Sequence, residues 1–302
     1  MRTSHIALAV SVAAIWGFNF VAIKVGLTDF PPILFCALRF ALAALPLLFM
    51  AVYERGAHRG PPVPWRYILG IGMVLGVVKF SLLFVSMDVG MPAGLSSLVL
   101  QSQAFFTALF AAVALGDRPG PKQLVGMAVA FSGIGLIATD MPAGNSLLGL
   151  ALAIAAAAAW GVSNILMKQA KAPDLFRMML WVSVVPPLPL LALSLTLEGP
   201  ERVAHALTSL TPIGVASLAY IAFGATLFGF AAWGFLLRHY PASLVAPFSL
   251  LVPIFGMSSS ALLLGEDFTP VKLAGAVLVF TGLAVGVLKL KGPLPARSGE
   301  GV

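Results

Sequence analysis

The sequence predicts an all-α integral membrane protein: ten transmembrane helices forming two inverted five-helix repeats, with both termini cytoplasmic. Three observations carry that expectation. Sixty per cent of the 302 residues are hydrophobic and only 10% are charged, with a mean hydropathy of +1.00, whereas an ordinary soluble domain carries about 25% charged residues. Apolar windows of about 20 residues, long enough to cross a hydrocarbon core as helix, recur from end to end. Finally, the chain contains itself twice. Met91-Pro92-Ala93-Gly94-Leu95, running into Leu115-Gly116-Asp117, returns as Tyr240-Pro241-Ala242-Ser243-Leu244, running into Leu264-Gly265-Glu266, at a constant offset of 149.

The windows lie near 5–27, 32–52, 66–87, 93–115, 122–138, 146–168, 175–197, 212–235, 241–264 and 271–289. Their continuous apolar runs, without apolar/polar alternation, favour helices over barrel strands. The first follows only Met1 to Ser4, too short a basic leader, and reads as a retained span. The second follows the Pro31-Pro32 turn and holds Cys36, the single cysteine, which reads as a small core hydrophobe. Gly72 and Gly76 in the third, like Gly282 and Gly286 in the tenth, have the spacing that permits close helix approach. The fourth opens at Met91-Pro92, and the fifth, the shortest, follows the Gly/Pro-rich turn 116–121. The sixth begins the second half, because Trp16-Gly17 through Lys24 pairs with Trp160-Gly161 through Lys168 at an offset of 144. Pro186, Pro187 and Pro189 bend the seventh span, the eighth is a plain apolar run, and Pro247 and Pro253 bend the ninth. Carbonyls freed in the ninth either face a substrate path or belong to fixed kinks. The expected division is 1–140 for the first repeat, 141–291 for the second and 292–302 for a tail whose Gly/Pro/Ser and mixed charge read as disordered.

Charge orients the helices. With the N-terminus inside, thirteen of the eighteen Lys and Arg fall on the inner side: Arg2, Arg55, Arg59, Arg66, Arg118, Lys122, Lys168, Lys171, Arg177, Arg238, Lys289, Lys291 and Arg297. Only Lys24, Arg202 and Lys272 fall outside, so the net charge of +7 reflects orientation and is not a nucleic-acid patch. Five spans per half is an odd number, so the second half enters the membrane from the opposite side. Inverted repeats of this kind let a carrier open alternately to either side.

Ionisable residues at bilayer depth are costly and are functional candidates by default. Arg39 and Lys79 are the only cations well inside the spans. Lys79 either lines a central cavity or is a structural cation bonded to helix carbonyls, and Arg39 reads as structural, within reach of the outer headgroups. Lys24 and Lys168 sit near span ends, where a long side chain snorkels to the interface. No Asp or Glu occupies the middle of a span, so the usual carboxylate relay of proton-coupled carriers is missing and facilitated, gradient-driven movement is expected. Among neutral groups, Asn19, Gln101 and Asn164 either hydrogen-bond a solute or glue helices together. Trp16, Trp160, Phe105 and Phe106 either wall a pocket or fill space. Gln103 is set aside, because on helical spacing it cannot share a face with Gln101. No catalytic residues, metal ligands or cofactor motifs are expected, and no Gly-x-x-x-x-Gly-Lys-Ser/Thr phosphate loop is present in the sequence.

At Trp16-Gly17-Phe18-Asn19-Phe20-Val21-Ala22-Ile23-Lys24, Arg39-Phe40, Met91-Pro92-Ala93-Gly94-Leu95-Ser96-Ser97-Leu98 and Gly116-Asp117-Arg118, the chain resembles EamA-type members of the drug/metabolite transporter superfamily. The stretch from Gly90 to Phe106 resembles bacterial exporters of cysteine and O-acetylserine, and aromatic amino-acid exporters share the architecture. The resemblance implies a multi-pass protein of the bacterial inner membrane that exports amino acids or related metabolites. Its partners would be a small-molecule substrate and the lipid bilayer, with no nucleic acid and no obligate protein partner. Export of other metabolites or drugs is the alternative. An integral-membrane enzyme acting on lipids would need a metal or acid/base constellation near the bilayer, which the spans do not offer.

Overall fold

The computed structural model describes residues 1–53, 60–117, 119–142 and 144–287, and among these it contains helices and no strand. The main helical elements are α1 Thr3–Gly26, α2 Pro32–Tyr53, α3 Trp65–Asp88, α4 Ala93–Leu115, α5 Pro121–Thr139, α6 Asn145–Ala170, α7 Leu175–Leu197, α8 Pro212–His239, α9 Ala246–Leu264 and α10 Pro270–Val287. Eight of them are long and apolar enough to cross a membrane within the described residues. The apolar stretches Pro32–Leu47 of α2 and Pro270–Gly286 of α10 are shorter. One further helix, Pro200–Thr208, lies between α7 and α8 and was not expected, since its composition is too polar for a span. Of the basic residues used for orientation, Arg55, Arg59, Arg118, Lys289, Lys291 and Arg297 lie outside the described residues, as does the tail 292–302.

Local chemistry sets the helix ends. The Asp174 carboxylate accepts from the Arg177 N–H at 3.1 Å and caps α7, and the Thr211 hydroxyl accepts from the Gly214 N–H at 3.0 Å and caps α8. Gly116 and Gly265, which occupy matching places in the duplication, end α4 and α9 with φ of +73° and +64°. Only glycine takes that left-handed conformation at little cost, so the Gly-acid turn recurs for a backbone reason.

Four helices are broken by other geometries, and the breaks recur. A π-helical segment runs from Gly72 to Lys79 in α3 and another from Tyr220 to Phe228 in α8; they begin 148 and end 149 residues apart. A 3-10 turn interrupts α4 at Leu100–Ser102, and another opens α9 at Ala246–Leu250. Pro186 and Pro187 split α7 into Leu175–Val184 and Pro187–Leu197. Proline lacks the N–H that would continue the ladder.

Glycine brings helices of the two halves into contact. A Cβ at Gly17 of α1 would lie 2.5 Å from the Phe255 Cβ of α9, and one at Gly161 of α6 would lie 2.9 Å from the Phe106 Cβ of α4. Between α5 and α10, a Cβ at Gly126 would lie 2.5 Å from the Gly282 carbonyl and one at Gly133 would lie 2.6 Å from the Gly275 carbonyl. Residue numbers rise along one helix as they fall along the other, so the pair is antiparallel.

One face of the bundle is tied shut. We call the end where α1 begins the near face and the end where it finishes the far face. At the far face the Glu198 carboxylate accepts from the N–H groups of Ile33 (2.7 Å) and Leu34 (3.1 Å) at the start of α2. The Glu266 carboxylate accepts from those of Ala93 (2.6 Å) and Gly94 (3.0 Å) at the start of α4. Each carboxylate satisfies orphan donors and meets the positive end of a helix dipole. Asp29 accepts from the Thr211 hydroxyl, and Asp140 accepts from the Thr269 hydroxyl at 2.5 Å with Lys272 beside it at 3.7 Å. All four ties join residues before 141 to residues after 197.

Candidate functional site

Between the halves lies a cavity of about 380 Å³. At its near-face end the lining residues Met167, Leu175, Trp233 and Leu237 are partly exposed, whereas Phe20, Leu83 and Ser97 toward the far face are buried. The cavity therefore opens toward the near face and is closed beneath the four ties. Its volume suits a solute of amino-acid size.

The irregular backbone segments build the walls. Lys79 closes the π segment of α3, is 3% exposed, and sends its Nζ to 3.4 Å from the Phe80 ring centroid and 4.5 Å from that of Trp160. Among the described residues it makes no hydrogen bond or ion pair. On the opposite side, the π segment of α8 exposes the Ala225 carbonyl, which accepts from Trp16 Nε1 at 2.9 Å and fixes that indole against Phe230 and Trp233. The π-bulge accommodates one extra residue per turn and is frequent at functional sites.

The 3-10 turn at Leu100–Ser102 corrects the sequence reading of Gln103. Tightening the helix there brings Gln101 and Gln103 to the same cavity, where regular α geometry would have parted them. Gln101 Nε2 donates to the Ser249 carbonyl at 2.8 Å, a group in the 3-10 segment that opens α9. The freed carbonyl of α9 thus holds a partner helix and lines the cavity as well. Gln103 Oε1 accepts from Asn164 Nδ2 at 2.6 Å, and the Thr107 hydroxyl accepts from the same nitrogen at 3.0 Å. Asn19 lines the wall at 7% exposure, and its Oδ1 is buried without a partner among the described residues.

Six of the eight residues named from sequence, Lys79, Asn19, Gln101, Asn164, Trp16 and Trp160, line this one cavity. Phe105 and Phe106 do not. Phe105 is 1% exposed and packs on the Phe131 ring and Gly286, while Phe106 packs on Phe110, Phe131 and Gly161. Both are packing residues, because the turn that admits Gln103 rotates the next two side chains toward α5 and α6. Ser163 is also buried away from the cavity and bonds the Ala159 carbonyl within its own helix. Arg39 is a second correction. It does not reach the headgroups: it is 3% exposed, it lines the cavity, and its Nε donates to the Thr226 hydroxyl at 3.0 Å. Lys24 donates to the Met87 carbonyl at 2.6 Å and Lys168 to Asp117 at 2.7 Å, so both tie span ends.

Apolar helices around a largely apolar cavity that holds a few amides and two cations, shut at one face and open at the other, define a polytopic membrane transporter. The chain belongs to the EamA-like transporter family, which matches residues 3–139 and again 147–288. It is 40% identical over 290 residues to a protein of Escherichia coli named a probable amino-acid metabolite efflux pump, covering 94% of this chain and 95% of that one. A protein of Salmonella typhimurium with the same name is 40% identical, with 96% and 97% covered. A probable terminal-alkyne amino-acid exporter of Streptantibioticus cattleyicolor is 26% identical, with 92% and 91% covered. One crystal structure, 19% identical, superposes with a TM-score of 0.63 over 95% of this chain and 98% of its own, a likeness of fold alone.

Proposed function

We propose that the protein exports amino acids and related small metabolites across the bacterial inner membrane by alternating access, with both termini cytoplasmic. Its working parts are two inverted five-helix repeats, residues 1–140 and 141–291. The antiparallel glycine contacts of α5 with α10 and the recurrence of the π segments support that division. In this reading the near face is cytoplasmic, and the structure corresponds to a state loaded from inside.

The observation that carries the proposal is Lys79, a buried cation facing the cavity, with the rings of Phe80 and Trp160 against its ammonium and no carboxylate among the lining residues. A carboxylate arriving there gains a charge-assisted hydrogen bond in a low-dielectric setting. Asn19, Gln101 and Asn164 bond its polar atoms, and Trp16 and Trp160 enclose its apolar part. The relatives named as amino-acid metabolite pumps favour the same substrate class. With no carboxylate or histidine among the cavity-lining residues to relay protons, transport is gradient-driven. Efflux from liposomes reconstituted with the full chain tests the anchor. Lys79→Gln should lower amino-acid efflux about ten-fold or more, the worth of one charged hydrogen bond, and unchanged efflux would remove Lys79 from the site.

A further inference from the structure

The cavity holds two cations. Arg39 Cζ lies 4.2 Å from the Phe80 ring centroid, the same ring that Lys79 Nζ approaches at 3.4 Å, so the two charges flank one phenyl group. Among the described residues only one edge of the guanidinium is occupied: Nε is bonded to Thr226, whereas Nη1 is buried with no partner. None of the lining residues is Asp or Glu. The far-face carboxylate Glu198 is engaged by Ile33, Leu34 and Ser194. Lysine and arginine are donors only, and uncompensated charge at this depth is costly.

We infer that the preferred substrate is a net anion: a carboxylate whose amine is absent or acylated, held between Arg39 and Lys79. The inference rests on the reading of this cavity as the substrate site. A free amino acid brings an ammonium into a chamber with two cations and no acid. Among the described residues that line the cavity, Asn19 Oδ1 is a buried acceptor without a partner, which suits the single N–H of an acylated amine, whereas no lining carboxylate offers an ammonium a counter-charge. The carboxylate, by contrast, is offered charge-assisted donors by both Arg39 and Lys79. Trp16, Trp160 and Phe230 supply faces for an apolar body.

The test is a series with one side chain and changing charge: phenylalanine, N-acetylphenylalanine and phenylalaninamide, each competing for counterflow in liposomes bearing the full chain. The N-acetyl compound should reach half-inhibition at a concentration about ten-fold lower than the free amino acid, and the amide should not compete. Arg39→Gln should abolish that preference, and Arg39→Lys, which keeps the charge, should retain most of it. An inside-negative potential should speed exit of the N-acetyl compound and leave phenylalanine unaffected. Equal or better competition by the free amino acid overturns the inference while leaving the amino-acid reading intact, as does a preference that survives Arg39→Gln. If none of the three competes, the reading of the cavity falls and the inference falls with it. The comparison on the unmodified chain decides the matter even if a variant does not fold.

Discussion

A side chain three or four positions from a pocket can be as apolar, aromatic and buried as one inside it, and Phe105 illustrates the difference this makes. Enclosed by Phe131 and Gly286, it belongs to the packing between α4, α5 and α10. Phe105→Ala should therefore cost about 3–5 kcal/mol of stability through the void it leaves. Thermal unfolding in detergent should register that loss, while the half-saturating substrate concentration of the surviving protein stays unchanged. The cavity was largely legible in the sequence at residue scale, because an amide, cation or indole in an apolar span has few reasons to be there. Arg39 and Gln103 escaped because their placement depends on backbone geometry. Arg39 follows a proline turn that suggests the surface, and Gln103 reaches the cavity only through three residues of 3-10 helix. Trp233 and Phe230 carried no signal, since rings in an all-apolar span look alike whether they face lipid, core or solute.

At the scale of elements, the glycines divide into those that hold helices together and those that do not. Gly133 and Gly135 lie two residues apart on α5. A Cβ at Gly133 would sit 2.6 Å from the Gly275 carbonyl, whereas one at Gly135 meets nothing within 4 Å. Alanine at 135 should stabilise the protein by about 0.5–1 kcal/mol through helix propensity, and alanine at 133 should destabilise it by about 1–3 kcal/mol by forcing α5 from α10. Melting temperatures of the two variants in one detergent should move in opposite directions. Helix positions were readable from hydropathy to within about five residues: the expected 122–138 against the observed Pro121–Thr139, and the expected 241–264 against the observed Ala246–Leu264. The π and 3-10 segments were not, since they arise from contacts between helices: Gly76 of α3 lies against Pro186 of α7, and Gln101 of α4 reaches the Ser249 carbonyl of α9.

At the scale of the whole molecule, the duplication forecasts the state that the structure does not show. Glu266 now caps the start of α4 at Ala93 and Gly94. Its counterpart at the 149 offset is Asp117, at the near face, which is exposed and, among the described residues, engaged by the side chain of Lys168 alone. In the opposite state Asp117 should cap the backbone at 242 and 243, the counterparts of 93 and 94, and Glu266 should let go. Glu266→Gln should then favour opening at the far face and Asp117→Asn should oppose it. The readout is labelling of a single cysteine placed at Ser97, in a Cys36→Ala background, by an impermeant reagent supplied from the far side. Faster labelling in Glu266→Gln and slower labelling in Asp117→Asn are expected, and no change in either would dissociate the ties from gating. The exchanged contacts of Gly17 with Phe255 and of Gly161 with Phe106 also bear on how the chain is made. The groove on α1 has no occupant until α9 is synthesised, more than 220 residues later. The first half must wait in the bilayer with that surface bare, so a ribosome stalled between the halves leaves a product that cannot complete its own packing and is open to proteolysis.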